Sequence, residues 1–179
     1  MPASTKRRWP KVVLAAVMGA VAVAFGILQM LAAPPRTNPP IVRAHTIEAN
    51  LSVPAPVSQI IHQVCANCHS YETRWPWYSH IAPFSWMLGA DVNNARAAMN
   101  FSEWSTQLDG IAGAEAAKLA VACAVLTADI MPPQRYQLMH PEARLSAAQK
   151  QAFCDWTTAV AAAARKSRAG AGQASEPER

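Results

Sequence analysis

The pentapeptide Cys65-Ala66-Asn67-Cys68-His69 constrains this chain more than any other stretch. Cysteines three residues apart share one face of a helical turn, and the next residue lies beside them. Two thiols so placed reach the two vinyl groups of one porphyrin, while His69 is carried beneath the iron as proximal ligand. The segment is therefore predicted to be helical, and the surrounding fold must accommodate a flat apolar macrocycle. A bare Cys-x-x-Cys also serves as a redox dithiol or as half of a zinc site. The zinc reading needs a second pair of ligands at zinc-like spacing, and the sequence has none.

At 179 residues the chain suits one domain of ordinary size with appendages. Its beginning is set apart. Residues 1–11 carry Lys6, Arg7, Arg8 and Lys11 with no acid, and residues 12–33 form an apolar run broken only by Gln29. As a helix that run extends about 33 Å, enough to cross a hydrocarbon core of roughly 30 Å. Residues 1–11 then form a cytoplasmic basic flank, by the excess of positive charge on that side. A cleaved signal peptide is the competing reading, with Leu31-Ala32-Ala33 offering small residues near a cut. Against it stand an apolar core longer than the usual signal and the prolines at 34 and 35. Either way everything after Pro34 is exported, to a compartment that suits thiol-dependent cofactor attachment.

Charge then has to be partitioned. Of 16 basic residues four precede the apolar run, leaving 12 against 11 acidic residues in the exported part. The net charge of +5 therefore reports topology, and with no basic stripe interleaved with aromatics it points to no nucleic-acid partner.

Residues 34–56 begin with Pro34-Pro35-Arg36-Thr37-Asn38-Pro39-Pro40 and are predicted to form an extended spacer lifting the domain off the membrane. Residues 57–165 are the expected cofactor domain. Val57, Ile60, Ile61 and Val64 fall at helical spacing and lead into Cys65. Residues 71–83 hold Trp75, Trp77 and Tyr78 and two prolines, which suits a loop on a flat apolar surface such as a porphyrin, with Trp77 a candidate cofactor contact. Aromatics that merely close a small core are the plain alternative. Helices are expected over 84–99, with Trp86, Met87, Ala90, Ala95 and Met99 on its buried face, and over 112–127. A last helix starts at the capping box Ser146-Ala147-Ala148-Gln149 and buries Phe153, Trp156 and Val160. Residues 166–179 have no apolar period and are predicted to be a disordered tail. No alternating β-branched run or hairpin turn survives, so the class is all-α: a compact helical domain after one N-terminal transmembrane helix.

Function turns on the sixth ligand, since an iron with two strong protein ligands exchanges electrons while one with an open position binds small molecules. Candidates are His80, Met87, Met99, Met131, Met139 and His140. Met131 leads: it lies between two helices and precedes Pro132-Pro133, which stiffen the segment. His80 and His140 are the loop rivals, and Met87 and Met99 fit a core face better. Arg74 is placed to pair with a haem propionate through its guanidinium fork, or is an exposed arginine without such a role. Cys123 and Cys154 remain, either as a disulfide or as two buried thiols.

The run from Cys65 to Trp104, with Cys-Ala-Asn-Cys-His-Ser, Glu72-Thr73-Arg74-Trp75-Pro76-Trp77-Tyr78-Ser79, Ile81-Ala82-Pro83, Ser85-Trp86 and Asn100-Phe101-Ser102-Glu103-Trp104, resembles the bacterial haem-binding domain family. Met131-Pro132-Pro133 and Met139-His140-Pro141-Glu142-Ala143 are similar to its second half. The resemblance implies one covalent haem c on a helical domain in the style of class I cytochromes c, where a methionine before proline often serves as distal ligand. Cys123 and Cys154 depart from the family pattern. The expected protein is a single-pass, inner-membrane cytochrome of a bacterium with its haem domain in the periplasm. It is expected to be an electron carrier and no enzyme, passing single electrons to periplasmic or membrane redox proteins. The alternative is a haem-based sensor or binder with an open or labile sixth site.

Overall fold

The computed structural model of the protein describes residues 9–31, 33–108 and 113–174, and among these every regular element is helical, as expected. In chain order the α-helices are Trp9–Met30 (α1), Ile47–Asn50 (α2), Ala55–Ile60 (α3), Ala66–His69 (α4), Phe84–Ala98 (α5), Trp104–Gln107 (α6), Ala114–Thr127 (α7), Gln134–Met139 (α8) and Ala147–Ala174 (α9). The chain divides into two compact units. One takes the described residues up to Arg36 with Trp75–Asp91; the other takes Thr37–Arg74 and the described residues from Val92 on.

In the first unit α1 runs with no buried residue, long and apolar enough to cross a membrane. It begins three residues before the expected apolar run and stops short of Pro34, whose missing N–H and ring disfavour a continuing helix. Most of the basic flank lies outside the described residues. The end of α1 is fastened by Gln29: its Oε1 accepts from the Ala82 N–H at 3.0 Å and its Nε2 donates to the Ala82 carbonyl at 3.4 Å. Trp77–His80 forms a 3-10 turn, and α5 starts at Phe84. Gly89 lets the chain approach closely, since a Cβ there would lie 3.1 Å from both the Cβ and the carbonyl oxygen of Pro34, tighter than ordinary contact.

The second unit holds the core. Ile47, Val57, Ile60, Ile61, Phe101, Trp104, Leu108, Leu119, Leu126, Phe153 and Trp156 make one buried cluster, and the predicted stripe on the helix leading to Cys65 is buried throughout. Both core indoles find acceptors: Trp104 Nε1 donates to Glu115 Oε1 at 3.2 Å and Trp156 Nε1 to the Ser52 carbonyl at 3.0 Å. Helices α7 and α9 lie along one another and carry the Cys123–Cys154 disulfide, with Cα atoms 5.2 Å apart, which decides between the two readings of that pair. The capping box forms as expected, the Ser146 hydroxyl accepting from the Gln149 N–H at 3.2 Å and the Ser146 N–H donating to Gln149 Oε1 at 2.9 Å.

Several expectations need correction. Residues 34–56 are not a plain spacer, because Arg43–His45 and α2 are helical turns that drive Ile47, fully buried, into the core. The large apolar residues between Pro40 and Pro54, at positions 41, 42, 47, 51 and 53, keep too little helical periodicity to reveal this. The tail is not disordered from 166: α9 continues to Ala174, while 175–179 lie outside the described residues. Met87 is exposed and is not a core residue. Helix α5 buries the small or polar Ser85 and Gly89 in the first unit and Val92 and Arg96 in the second.

Candidate haem site

The site is built on one continuous run of helix. Below α3, residues Ile61–Cys65 widen into a π turn before α4 completes the motif. A π turn shifts the facing of the side chains that follow it, and such turns are frequent at functional sites. Cys65 is half-buried against the core, and Cys65 and Cys68 remain thiols while the other two cysteines are bridged. Burial, and behind it repulsion from Cys68, pushes the Cys65 thiol up to about 12, which keeps it protonated at neutral pH.

His69 ends α4, and its Nδ1 lies 2.9 Å from the carbonyl oxygen of Met99. A carbonyl only accepts, so Nδ1 carries the proton and donates, and Nε2 is the unprotonated nitrogen. Burial pushes the imidazole below its ordinary pKa, against the carbonyls of Met99 and Ala95, which pull it up. The neutral tautomer with a lone pair on Nε2 is what an iron ligand requires, and a ligating histidine commonly donates its other N–H in this way.

Two other side chains fix the end of α5 beside the carbonyl that orients His69. Met99 follows the last turn of α5, whose carbonyls would otherwise lack partners. Gln107 Nε2 donates to the Arg96 carbonyl at 2.9 Å and the Ala97 carbonyl at 3.1 Å, and its Oε1 accepts from the Asn100 N–H at 3.0 Å. Lys118 Nζ on α7 donates to the Ala98 carbonyl at 2.8 Å, a cation at the negative end of a helix. Burial lowers the pKa of that ammonium.

The exit from the motif is tied down as firmly. The Ser70 hydroxyl donates to the Ala66 carbonyl at 2.7 Å and accepts from the Glu72 N–H at 2.9 Å. The buried Arg96 donates from Nε to the Ser70 carbonyl at 2.7 Å and from Nη1 to the Thr37 carbonyl at 2.7 Å, and from Nη2 to Asn38 Oδ1 and Thr73 Oγ1, each at 2.9 Å. Its guanidinium also sits 5.2 Å from the centre of the Tyr71 ring. Asn67, in the middle of the motif, accepts on Oδ1 from the Arg74 N–H at 2.8 Å and donates from Nδ2 to the Tyr136 hydroxyl at 3.0 Å.

That last bond brings α8, the segment after Met131, to the motif. Helix α7 ends in a Schellman turn: the Ile130 N–H donates to the Val125 carbonyl at 3.0 Å and the Asp129 N–H to the Leu126 carbonyl at 3.3 Å. Asp129 takes the left-handed position, φ 57°, and pairs with Lys150. Met131 follows directly, its N–H also on the Val125 carbonyl at 3.1 Å and its side chain partly exposed. Ile130, Leu138 and Met139 are exposed as well, an apolar surface on the same segment.

The remaining candidates stand as follows. His140 stacks on Tyr136 with ring centres 4.2 Å apart, its Nδ1 2.9 Å from Glu142 Oε1. His80 is exposed at the end of the 3-10 turn, and Trp77, three-quarters exposed, belongs with it to the unit of α1. The side chain of Arg74 is exposed. His62 lies between Glu48 Oε1 at 3.0 Å and Glu72 Oε2 at 3.2 Å. Sequence reasoning missed Asn67, Arg96, Gln107, Lys118 and the carbonyl of Met99. Only Arg96, a cation on an otherwise uncharged helical face, carried a signal.

Two unbridged thiols and an imidazole whose Nε2 is the unprotonated nitrogen, all within residues 65–69, fit a haem, so fold and donors define a helical haem-binding domain. Comparison with protein families agrees: the haem-binding domain family matches residues 23–159, and the chain belongs to it. The match starts inside α1 and ends in α9, so it takes in the proline-rich segment that the core claims. No curated protein and no solved structure matches the chain.

Proposed function

We propose that the protein is a membrane-anchored, bacterial c-type cytochrome that carries single electrons at the periplasmic face, with one haem joined through Cys65 and Cys68. The observation that carries this reading is the His69 Nδ1 bond to Met99, which leaves Nε2 for iron beside two thiols that form no bridge. Cys65 and Cys68 would hold the haem through thioether links to its two vinyl groups. The bound haem supplies the one-electron couple at iron. His69 Nε2 and Met131 Sγ would be the protein groups that ligate its iron.

Support for Met131 comes from its setting. The Schellman turn before it and two prolines after it limit the backbone, and the Asn67–Tyr136 bond ties the segment to the motif turn. His/Met ligation is the pairing of electron-transfer cytochromes and raises the potential. The protein side chains then exclude water and hold His69 in one tautomer, and an iron with two protein ligands mainly exchanges electrons. A carrier rather than an enzyme is the reading that follows. Helix α1 as an uncleaved anchor holds the domain at the membrane surface, which raises its effective concentration near membrane redox proteins.

Two measurements test the reading. The purified full chain retains haem through a denaturing gel, and Cys65→Ser with Cys68→Ser loses it; a wild-type band without haem refutes covalent attachment. Carbon monoxide leaves the reduced wild type unchanged and binds Met131→Ala. Rapid, complete binding by the wild type refutes His/Met ligation and favours a haem sensor or binder with an open or labile sixth site.

A further inference from the structure

We propose that Trp77, Tyr78, Phe84 and Met87 form a membrane-contact patch that seats the segment from Trp75 to Asp91 in the headgroup and upper acyl region of the bilayer, beside the end of α1; this rests on reading α1 as a membrane anchor.

Composition gives the first reason. Between Arg74 and Asp91 the chain has no lysine, arginine, aspartate or glutamate, yet it holds Trp75, Trp77, Tyr78, Phe84 and Trp86, five of the 13 aromatic residues. Exposure gives the second. In the first unit α5 turns inward its small residues, Ser85 and Gly89, and presents large apolar ones outward: Phe84 is 50% and Met87 46% exposed, and Trp77 reaches 75%. A helix facing water does the reverse. The side chains are also contiguous. Trp77 meets Tyr78 edge to face at 5.8 Å and Tyr78 meets Phe84 at 6.1 Å, while Met87 lies one turn along α5 from Phe84.

Depth identifies the occupant. Both polar atoms of the Gln29 side-chain amide bind the backbone of Ala82, and Gly89 packs closely on Pro34, where a Cβ would lie 3.1 Å from the proline. The aromatic segment is thus clamped along residues 29–34. With 22 residues α1 extends about 33 Å against a hydrocarbon core of roughly 30 Å, so its end lies where acyl chains meet headgroups. Tryptophan and tyrosine concentrate at that level, apolar body inward and polar tip toward water. Trp9, exposed at the other end of α1, is the matching residue of the opposite interface. An uncharged patch at this depth suits lipid better than a redox protein, whose docking draws on complementary charge.

The test is photolabelling of the full-length holoprotein in vesicles of phosphatidylethanolamine and phosphatidylglycerol. The vesicles include a phosphatidylglycerol with a diazirine near the ester end of one acyl chain. Trypsin cuts after Lys11, Arg36, Arg74 and Arg96, so residues 12–36 and 75–96 arrive as separate peptides for mass spectrometry. Adducts on both peptides, those on 75–96 falling between residues 77 and 87, are the expected result. Trp77→Ser/Phe84→Ser/Met87→Ser loses the second set while the adducts on 12–36 stay. Adducts on 12–36 alone overturn the patch and leave the anchor standing, whether a porphyrin or a protein covers those side chains. Adducts on neither peptide overturn the anchor, and the patch with it. The wild-type map decides these outcomes even where the triple variant does not fold.

Discussion

Replacing Arg96 by methionine keeps the aliphatic stem and removes the guanidinium that ties the motif's exit to the chain before α2. Four hydrogen bonds go with it, to Ser70, Thr37, Asn38 and Thr73. Bonds from a charged donor contribute about 1.5–3 kcal/mol each, a gross term of roughly 6–12 kcal/mol. Against this, the cation no longer has to be held away from water, which returns several kcal/mol. The Ser70 and Thr37 carbonyls stay without that donor, and the stacking on Tyr71, about 0.5–1 kcal/mol, is lost too. The net loss is about 3–5 kcal/mol, in line with the breaking of other buried charged networks. Arg96→Lys keeps the charge, but a compact ammonium cannot span acceptors on both edges of the fork, and it loses about 2 kcal/mol. Urea unfolding of the detergent-solubilised full chain, followed by circular dichroism, reads both. With a slope of about 2 kcal/mol per molar, the methionine variant shifts its midpoint by roughly 2 M. A loss below about 1 kcal/mol for Arg96→Met, or a lysine variant equal to wild type, refutes the assignment of Arg96 as the lock of this turn.

Opening the Cys123–Cys154 bridge with Cys123→Ala/Cys154→Ala frees a loop of sequence separation 31 in the unfolded chain, which costs about 3.7 kcal/mol of stability by chain entropy. The same urea titration checks it, and the haem stain of this variant stays at wild-type intensity. Asn67→Ala removes two hydrogen bonds, one from the Arg74 N–H and one to the Tyr136 hydroxyl, and costs about 1–3 kcal/mol. Because Asn67 ties α8 to the motif, carbon monoxide gains access to the reduced Asn67→Ala protein, measured as a binding rate above that of wild type.

Much of this protein was legible in its residues because the signals are local. Cys65, Cys68 and His69 need only one helical turn to share a face, so their spacing alone points to a porphyrin. The buried stripe at Val57, Ile60, Ile61 and Val64 and the capping box at Ser146 are likewise set by neighbours within a turn or two, and the structure has both. The apolar run read as a membrane helix forms one continuous helix for the same reason.

The rest depends on residues distant in the chain. Ile47 reads as part of a spacer until the core that receives it is assembled, and α5 reads as an amphipathic helix burying Met87 until Gly89 meets Pro34 and turns the large side chains outward. The disulfide needed the packing of α7 on α9 to bring two cysteines to bonding distance. The chemistry of the site divides in the same way. The sequence by itself determined which atoms can meet a haem, since covalent spacing sets that. The tertiary structure alone decided which nitrogen of His69 carries the proton, because the acceptor is a backbone carbonyl 30 residues away, at the end of a helix held by Gln107 and Lys118. A backbone carbonyl is chemically the same at every position, and only folding places one beside an imidazole.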